Sequence, residues 1–268
     1  VATPIGNLAD MSQRAIAILA AADLVAVEDS RVTGKLLHHL GLKKKMRRYN
    51  DHSSAGDRES LVAAARDGVV ALVSDAGTPL ISDPGYKLVR SAREAGVVVY
   101  AAPGPSAAIA ALSICGLPTD RFLFSGFLPS KAKARADALL AVATIPATLV
   151  FYESGPRLGV TLAAMAEILG EREAAVAREL TKKFEEVVTG TLAELAARYA
   201  EIEAKGEIVL IVGPPVEEAV ERGDVDAALA EALETMPVSK AAGHIAKRFG
   251  LERGDVYARA TAMKSAVK

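Results

Sequence analysis

Three loops rich in glycine and proline each follow the end of a predicted strand, and their composition suits close approach of a ligand to the backbone. They span residues 3–7 (TPIGN), 75–79 (DAGTP) and 103–106 (PGPS). In open α/β sheets, ligands bind in the crevice beyond the carboxyl ends of the strands. Each loop by itself is also explained by ordinary turn chemistry. Their occurrence after three strands of one predicted sheet favours a ligand crevice.

Charged residues follow two further predicted strands. Glu28, Asp29 and Arg31 come after the run LVAV, and Glu153 comes with Arg157 after TLVFY. A carboxylate at the edge of a sheet can accept a proton, bind a cation or pair with a neighbouring arginine. The sequence leaves all three roles open.

Several common catalytic and cofactor patterns are absent. The chain has no G-x-G-x-x-G, G-x-x-x-x-G-K-[ST], H-E-x-x-H or G-x-S-x-G motif, so dinucleotide, P-loop, zinc-protease and hydrolase chemistry is not indicated. Cys115 is the only cysteine, which excludes a disulfide scaffold and a multi-cysteine metal site. His38 and His39 are adjacent and point in different directions around a helix, so we expect no metal. Loops of small residues suit a ligand held by backbone groups and apolar contacts.

Short apolar runs alternate with amphipathic helical patterns, which predicts an α/β fold. We expect a mostly parallel sheet in an N-terminal domain over residues 1–115 and a mixed α+β domain over residues 116–215. An acidic linker helix and a basic helical tail should follow over residues 216–268. The predicted strands lie at 24–27, 69–74, 97–102, 148–152, 174–178, 186–189 and 207–212.

The composition indicates a folded protein with local basic patches. The chain has 268 residues, 51% of them hydrophobic, and a net charge of −1, which argues against a non-specific nucleic-acid coat protein. Lysines and arginines concentrate in residues 43–48, 131–135 and 239–268. No apolar run approaches the roughly 18 residues of a membrane span, and the first residues lack a signal-peptide pattern. We expect a cytoplasmic protein without a membrane segment, and we expect a few residues to precede Val1, which lies at a predicted strand end.

Seven segments in a fixed order resemble the ribosomal RNA small-subunit methyltransferase I family. They are TPIGNL, VEDSR, SDAGTPLISDPG, PGPSA, GFLPSK, FYESGPR and RELTKKFEE. The resemblance runs from residue 1 to about residue 215, and the tail fits as well. It implies the two-domain tetrapyrrole-methylase fold, with S-adenosylmethionine bound in the cleft between the α/β domains. The implied reaction is 2′-O-methylation of a cytidine ribose in 16S rRNA of the 30S subunit, carried out by a homodimer.

The resemblance also implies roles for individual residues. The expected cofactor-binding residues are Pro4, Ile5, Gly6, Gly77, Thr78, Ile81, Ser106, Ala107, Tyr152, Gly213 and Pro214. For accepting the proton or orienting the substrate, the candidates are Glu28, Asp29 and Glu153. For contacts with RNA phosphates, charge and position favour Arg31, Lys43, Lys44, Arg47, Lys131 and Lys182.

Two alternatives stay open at this stage. One is a methylase of the same fold that acts on a tetrapyrrole or on a protein side chain. The other is a ribosome-assembly factor that senses the cofactor without catalysis. The helix-turn-helix pattern predicted over residues 238–257 suits RNA or ribosome docking, but it also suits a surface or dimer-stabilising helical hairpin.

Overall fold

The chain divides into two units, Val1–Pro215 and Val216–Lys268. The computed structural model describes residues 1–202, 204–215, 222–249 and 251–266. The division that the sequence predicts between residues 115 and 116 falls inside the first unit and stays a prediction.

A three-stranded parallel sheet forms the N-terminal part of the first unit. Its strands are β1 (Leu24–Val27), β2 (Met46–Arg48) and β3 (Val70–Val73), in the order β2-β1-β3. Val25 of the central strand pairs with Met46 on one side and Ala71 on the other, and it is fully buried. The accompanying helices are α1 (Gln13–Ala21), α2 (Ser30–His39), α3 (Ala55–Asp67) and α4 (Tyr86–Glu94). The predicted parallel sheet is therefore confirmed.

The strand predicted over residues 97–102 is wrong. The segment forms no ladder with another strand; Ala102 accepts a hydrogen bond from the Ala2 amide at 3.1 Å. Tyr100 is 82% exposed, whereas Val97 and Val99 pack against an apolar cluster, so the run has one buried side without joining a sheet. The sequence also missed β2, whose residues Met-Arg-Arg carry no apolar alternation.

A five-stranded mixed sheet forms the rest of the first unit. Its strands are β4 (Phe122–Phe127), β5 (Thr148–Ser154), β6 (Glu173–Arg178), β7 (Glu186–Thr191) and β8 (Glu207–Val212), in the order β4-β5-β8-β6-β7. The β4–β5 pair is parallel, and the remaining pairs are antiparallel. The accompanying helices are α5 (Ala107–Ile114), α6 (Ala132–Leu140), α7 (Leu158–Leu169) and α8 (Leu192–Ala200). This mixed sheet matches the expected architecture, although β4 was not predicted.

Alternating side chains of this sheet enter two apolar clusters. Phe151 and Leu210 pack with Leu162 in one cluster, whereas Val150 and Val209 lie in the other. The period-2 alternation of a strand explains why neighbouring residues of β5 face opposite sides. The same alternation separates Tyr152 from Glu153, which matters for the site described below.

The second unit is helical. It contains α9 (Arg222–Thr235), α10 (Val238–Phe249) and α11 (Arg253–Ala266), which confirms the predicted helical tail. Its core is made by Val225, Leu229, Ile245 and Val256. The first part of the predicted acidic linker, residues 216–221, lies outside the described residues. Nowhere in the described part of the chain is a helix both long and apolar enough to cross a membrane.

Candidate active site

A cavity of about 410 Å³ lies in the first unit, between the first and third glycine- and proline-rich loops, the segments that follow β1 and β3, and one end of β4, β5 and β8 in the second sheet. Of the three loops, only the second follows a strand of the first sheet, so the expectation that all three follow strands of one sheet is wrong. This volume is within the range of small-molecule sites. Its apolar lining includes Ile5, Ile81, Phe127, Leu180 and Val209. Its polar lining includes Glu28, Asp75, Thr78, Ser82, Asp83, Ser106, Tyr152, Glu153 and Glu207.

Hydrogen bonds join the three glycine- and proline-rich loops at this cavity. The Thr3 amide donates to the Gly77 carbonyl oxygen at 2.9 Å, and the Gly77 amide donates to the Thr3 carbonyl oxygen at 3.1 Å. The Thr78 hydroxyl donates to the carbonyl oxygen of Pro105 at 2.9 Å. Gly77 has a φ of +80°, a conformation that side-chain-bearing residues rarely adopt. The loops thus form one connected wall.

Most of the expected cofactor-binding residues line the cavity, but four of them do not. The residues at the cavity are Ile5, Gly77, Thr78, Ile81, Ser106, Ala107 and Tyr152. Pro4 and Gly6 are next to Ile5 in the first loop but are not part of the lining. Gly213 and Pro214 follow the opposite end of β8, where the Gly213 amide donates to the Glu173 carbonyl oxygen at 2.8 Å.

Tyr152 closes the cavity from the second sheet. Its ring makes edge contacts with Phe124 and Phe127, with ring centroids 4.9 and 5.6 Å apart. Its hydroxyl oxygen accepts a hydrogen bond from the Ala108 amide at 3.4 Å, close to the third loop. Burial raises the pKa of the Tyr152 phenol, so the hydroxyl stays protonated. An aromatic wall is thereby fixed opposite the glycine-rich loops.

Asp29 is engaged as a helix cap. Its side chain accepts a hydrogen bond from the Arg31 amide at 2.8 Å and forms an ion pair with the Arg31 guanidinium at 2.6 Å. These contacts with Arg31 lower the pKa of Asp29 to about 2. A carboxylate with so low a pKa is a weak proton acceptor, so the geometry favours a structural role for Asp29.

Glu153 is also engaged, although it reaches the cavity wall. It is 3% exposed, and its carboxylate accepts from the Thr161 hydroxyl at 2.7 Å and from the Ser154 amide at 2.8 Å. Its other contact is an ion pair with Arg157 at 3.3 Å. These partners lie on the α7 side of the sheet, so they favour a positioning role over the proton transfer considered from the sequence.

Glu28 and Asp83 also lie on the cavity wall, as does Asp75, which accepts a hydrogen bond from the Asp29 amide at 3.0 Å. Burial, and then the charge of Asp75, raises the pKa of Glu28. Burial raises the pKa of Asp83 to about 6, and the charges of Glu28 and Asp75 add to the rise. Asp83 is not among the site residues expected from the sequence. The available signal was its place in the segment SDAGTPLISDPG, eight residues after the aspartate that begins the second loop.

Of the expected phosphate-binding residues, four have protein partners. Arg31 pairs with Asp29, Lys44 donates to the carbonyl oxygens of Ala20 and Ala22, and Arg47 donates to the Ser60 hydroxyl. Lys182 pairs with Glu179 at 2.9 Å and with Glu207 at 2.8 Å. Lys43 and Lys131 are exposed at the surface of the first unit.

A second, polar cavity of about 290 Å³ adjoins the first at Glu28 and Asp75. Its other lining residues are Asp29, Arg48, Asn50, Asp51, His52 and Pro84. The carboxylates are numerous, yet within the described ranges no group of three or more His, Cys, Asp or Glu side chains is arranged to hold a metal ion.

Comparison with known proteins assigns the family. Residues 1–196 match the family model described as Tetrapyrrole (Corrin/Porphyrin) Methylases, and residues 219–264 match the model described as the RsmI C-terminal HTH domain. A relative from Erythrobacter litoralis (strain HTCC2594), named Ribosomal RNA small subunit methyltransferase I, is 58% identical over 99% of this chain and 94% of its own length. The chain belongs to the ribosomal RNA small subunit methyltransferase I family.

Solved structures place this family member among the tetrapyrrole methylases by fold. A diphthine synthase aligns with a TM-score of 0.63 at 17% identity, covering 80% of this chain and 88% of its own. A uroporphyrin-III C-methyl transferase from Thermus thermophilus, complexed with S-adenyl homocysteine, aligns with a TM-score of 0.53 at 22% identity. That alignment covers 80% of this chain and 95% of the other. The solved structures thus show the tetrapyrrole-methylase fold, and membership of the ribosomal RNA small subunit methyltransferase I family makes the protein a methyltransferase.

Proposed function

We propose that this protein transfers the methyl group of S-adenosylmethionine to the 2′-hydroxyl of a cytidine ribose in 16S rRNA of the 30S subunit. Family membership supports an rRNA substrate, and the convergence of the three loops on one cavity is the observation that carries the cofactor assignment. An enzyme with this substrate works in the cytoplasm. The homodimer implied by the sequence resemblance stays a prediction.

The chemistry of the cavity fits S-adenosylmethionine. Apolar side chains such as Ile5 and Phe127 offer packing surfaces for an adenine ring, and the absence of a side chain at Gly77 leaves the backbone open to close approach. Carboxylates and the aromatic ring of Tyr152 favour a positively charged group. When bound, S-adenosylmethionine supplies an electrophilic methyl group carried on a sulfonium.

The chain has two tasks in this reaction. It must hold the ribose hydroxyl in line with the methyl group, and it must remove the hydroxyl proton. It needs no general acid, because the leaving group is a neutral thioether. Of the three carboxylates expected from the sequence, Glu28 is the one whose surroundings suit contact with substrate, because Asp29 and Glu153 are engaged elsewhere. We assign the orientation of the ribose to Glu28, beside the cavity lined by Asn50 and Arg48.

The positive charge for RNA contacts comes from both units in this proposal. Lys43 and Lys131 are exposed and are the candidates in the first unit. In the second unit, Lys247 and Arg248 lie exposed in the last turn of α10. Lys182 is neutralised by two carboxylates, so we assign it to positioning Glu207 instead of binding phosphate.

The double substitution Lys247→Gln/Arg248→Gln should weaken binding to 30S subunits and reduce its salt dependence. The logarithm of the association constant falls as the logarithm of the salt concentration rises, and each lost phosphate contact makes this slope shallower by roughly 0.7 to 0.9. For the two substitutions together we expect a slope that is shallower by about 1.5. Filter binding over a salt series measures the slope, with Lys87→Gln/Arg93→Gln on the exposed surface of α4 as the matched control. Equal slopes for the two double variants would refute a docking role for α10.

Substrate class separates the proposal from its alternatives. Purified 30S subunits and a tetrapyrrole are each incubated with the protein and cofactor carrying a labelled methyl group. We expect label in RNA and none in the tetrapyrrole. Label in the tetrapyrrole alone would favour a same-fold methylase with another substrate. If the protein binds the cofactor but transfers no methyl group to mature 30S subunits or to their assembly intermediates, the result would favour the non-catalytic ribosome-assembly factor.

A further inference from the structure

Asp83 is a half-buried carboxyl group in the wall of the main cavity, and none of the roles assigned above uses it. It lies between Ser82 and Pro84, just before α4. On the same cavity wall are Ser106 and Tyr152, so Asp83 faces the ligand space together with groups from the third loop and from the second sheet.

The backbone around Asp83 is held in a costly conformation. Leu80 has a φ of 74° and Ser82 a φ of 61°, and Gly85 follows with a φ of 136°. Left-handed conformations of residues with side chains are maintained only where the surroundings enforce them, and they concentrate at functional sites. The second sheet lies close to this segment, because a Cβ on Gly126 of β4 would lie 2.9 Å from the Ser82 hydroxyl oxygen. The strained residues Leu80 and Ser82 thus flank Ile81 and adjoin Asp83, and both Ile81 and Asp83 line the cavity.

The electrostatic surroundings suit a group that changes its protonation. The acids whose charges act on Asp83 are Glu28 after β1 and Asp75 after β3. The other titratable groups on the same cavity are Tyr152 and Glu153 of β5 and Glu207 of β8. Burial raises the pKa of Asp83 to about 6, Glu28 and Asp75 add to this, and a hydrogen bond with Ser74 opposes it. The charge of Asp83 in turn contributes to the raised pKa of the Tyr152 phenol. Near neutral pH the carboxylate is present and is more basic than an exposed aspartate.

We propose that Asp83 accepts the proton of the nucleophilic hydroxyl group during methyl transfer, an inference that rests on the function proposed above. The oxygen–carbon bond forms as the carbon–sulfur bond breaks, and the electron pair of the broken bond stays on sulfur. The hydroxyl proton passes to a carboxylate oxygen of Asp83, which becomes a neutral acid and later returns the proton to solvent. Glu28 orients the ribose, and Asp83 removes its proton.

The variant Asp83→Asn tests this role with readouts of binding, titration and rate. In the protein without cofactor, ¹³C NMR of side-chain carboxyl groups should show one resonance that is missing from Asp83→Asn and titrates near pH 6 in the wild type. The kcat for methylation of 30S subunits should fall about 100-fold or more, the usual scale for a general base, while the Kd for S-adenosylmethionine stays within about threefold. Asp83→Glu should recover part of the rate. Asp137→Asn, on the exposed surface of α6, is the matched control and should leave kcat unchanged.

The pH profile distinguishes a proton acceptor from a merely structural group. Because the pKa of Asp83 is raised, the acid is protonated below about pH 6, and the wild-type rate should decline there. Asp83→Asn should lose that decline.

The inference is overturned if Asp83→Asn keeps its kcat within threefold or retains the decline in rate at low pH. It is also overturned if the Asp83 resonance of the wild type titrates near pH 4, or if the cofactor affinity of Asp83→Asn falls in parallel with its kcat. Loss of kcat in Glu28→Gln but not in Asp83→Asn would move the role to Glu28. A wild-type protein that never methylates 30S subunits would instead refute the proposed function, and this inference with it.

Discussion

Replacing Gly77 with valine should raise the Kd for S-adenosylmethionine by about 100-fold. A Cβ at this position would lie 3.3 Å from Cγ2 of Ile5 and 3.7 Å from the carbonyl oxygen of Pro105, so a branched side chain would occupy space at the junction of the three loops. The φ of +80° adds strain of roughly 1–2 kcal/mol for any L side chain, which lowers the stability of the folded protein with and without cofactor and so does not enter the Kd. The expected change in Kd corresponds to a loss of about 2.7 kcal/mol of binding free energy, which we attribute to the occupied space alone. Isothermal titration calorimetry measures it directly.

Gly96→Val provides the matched control for this prediction. Gly96 has a similar φ of +75°, but it is exposed and a Cβ there would have nothing within 4 Å. The control should therefore reproduce the backbone strain and leave the cofactor Kd unchanged. If Gly77→Val and Gly96→Val bound S-adenosylmethionine equally well, the cavity would not be the cofactor site.

Gly155→Ala should destabilise the first unit by about 3 kcal/mol, at the upper end for overpacking a close-packed site. An added Cβ would lie 2.0 Å from the Ala204 carbonyl oxygen and 3.0 Å from Cα of Lys205, so one of two backbone segments must move. For a unit of this size, the loss corresponds to a decrease in Tm of roughly 6–12 °C. Because Gly206 and Glu207 of the displaced segment line the cavity, cofactor affinity should fall as well.

Gly34→Ala should have the opposite effect on stability to Gly155→Ala, although both replace glycine with alanine. Gly34 lies inside α2, and a Cβ there would make one ordinary contact, 3.8 Å from Cε of Met46. Alanine should stabilise this helix by about 0.5–1 kcal/mol, because glycine loses more conformational entropy on folding. Thermal unfolding of the two variants gives both values. An unchanged Tm for Gly155→Ala would show that the close approach of residues 204–205 relaxes without cost.

The sequence predicted those parts of the fold whose patterns are local. The bounds of β1 and β8 follow directly from the apolar runs LVAV and EIVLIV. Thr191 and Glu194 form the capping box that their spacing predicts at the start of α8. Only the loop at residues 75–79 follows a strand of the parallel sheet, namely β3. The other two loops meet it through the hydrogen bonds between Thr3 and Gly77 and between Thr78 and Pro105, which the sequence pattern does not contain.

The sequence could not predict which carboxylates of the candidate site are held by ion pairs and hydrogen bonds within the protein and which face the cavity. The motif places Glu28, Asp29 and Glu153 alike at strand ends. Only the structure shows Asp29 bound to Arg31, and Glu153 bound to Thr161 and Arg157, whereas Glu28 faces the cavity. The alternation along β5 sends Glu153 toward α7 and Tyr152 toward the third loop. Asp83 was missed because its exposure to the cavity depends on positive φ values at Leu80 and Ser82, which residue type does not indicate.

In the proposed reaction, the cavity brings the methyl group of S-adenosylmethionine to a ribose hydroxyl of small-subunit rRNA. The most direct measurement is to incubate 30S subunits with the protein and methyl-labelled cofactor, digest the 16S rRNA to nucleosides and locate the label by mass spectrometry. We expect label on the ribose of cytidine, as 2′-O-methylcytidine, and a loss of label with Gly77→Val. Label on a nucleobase, or no label in 16S rRNA from the wild-type protein, would contradict it.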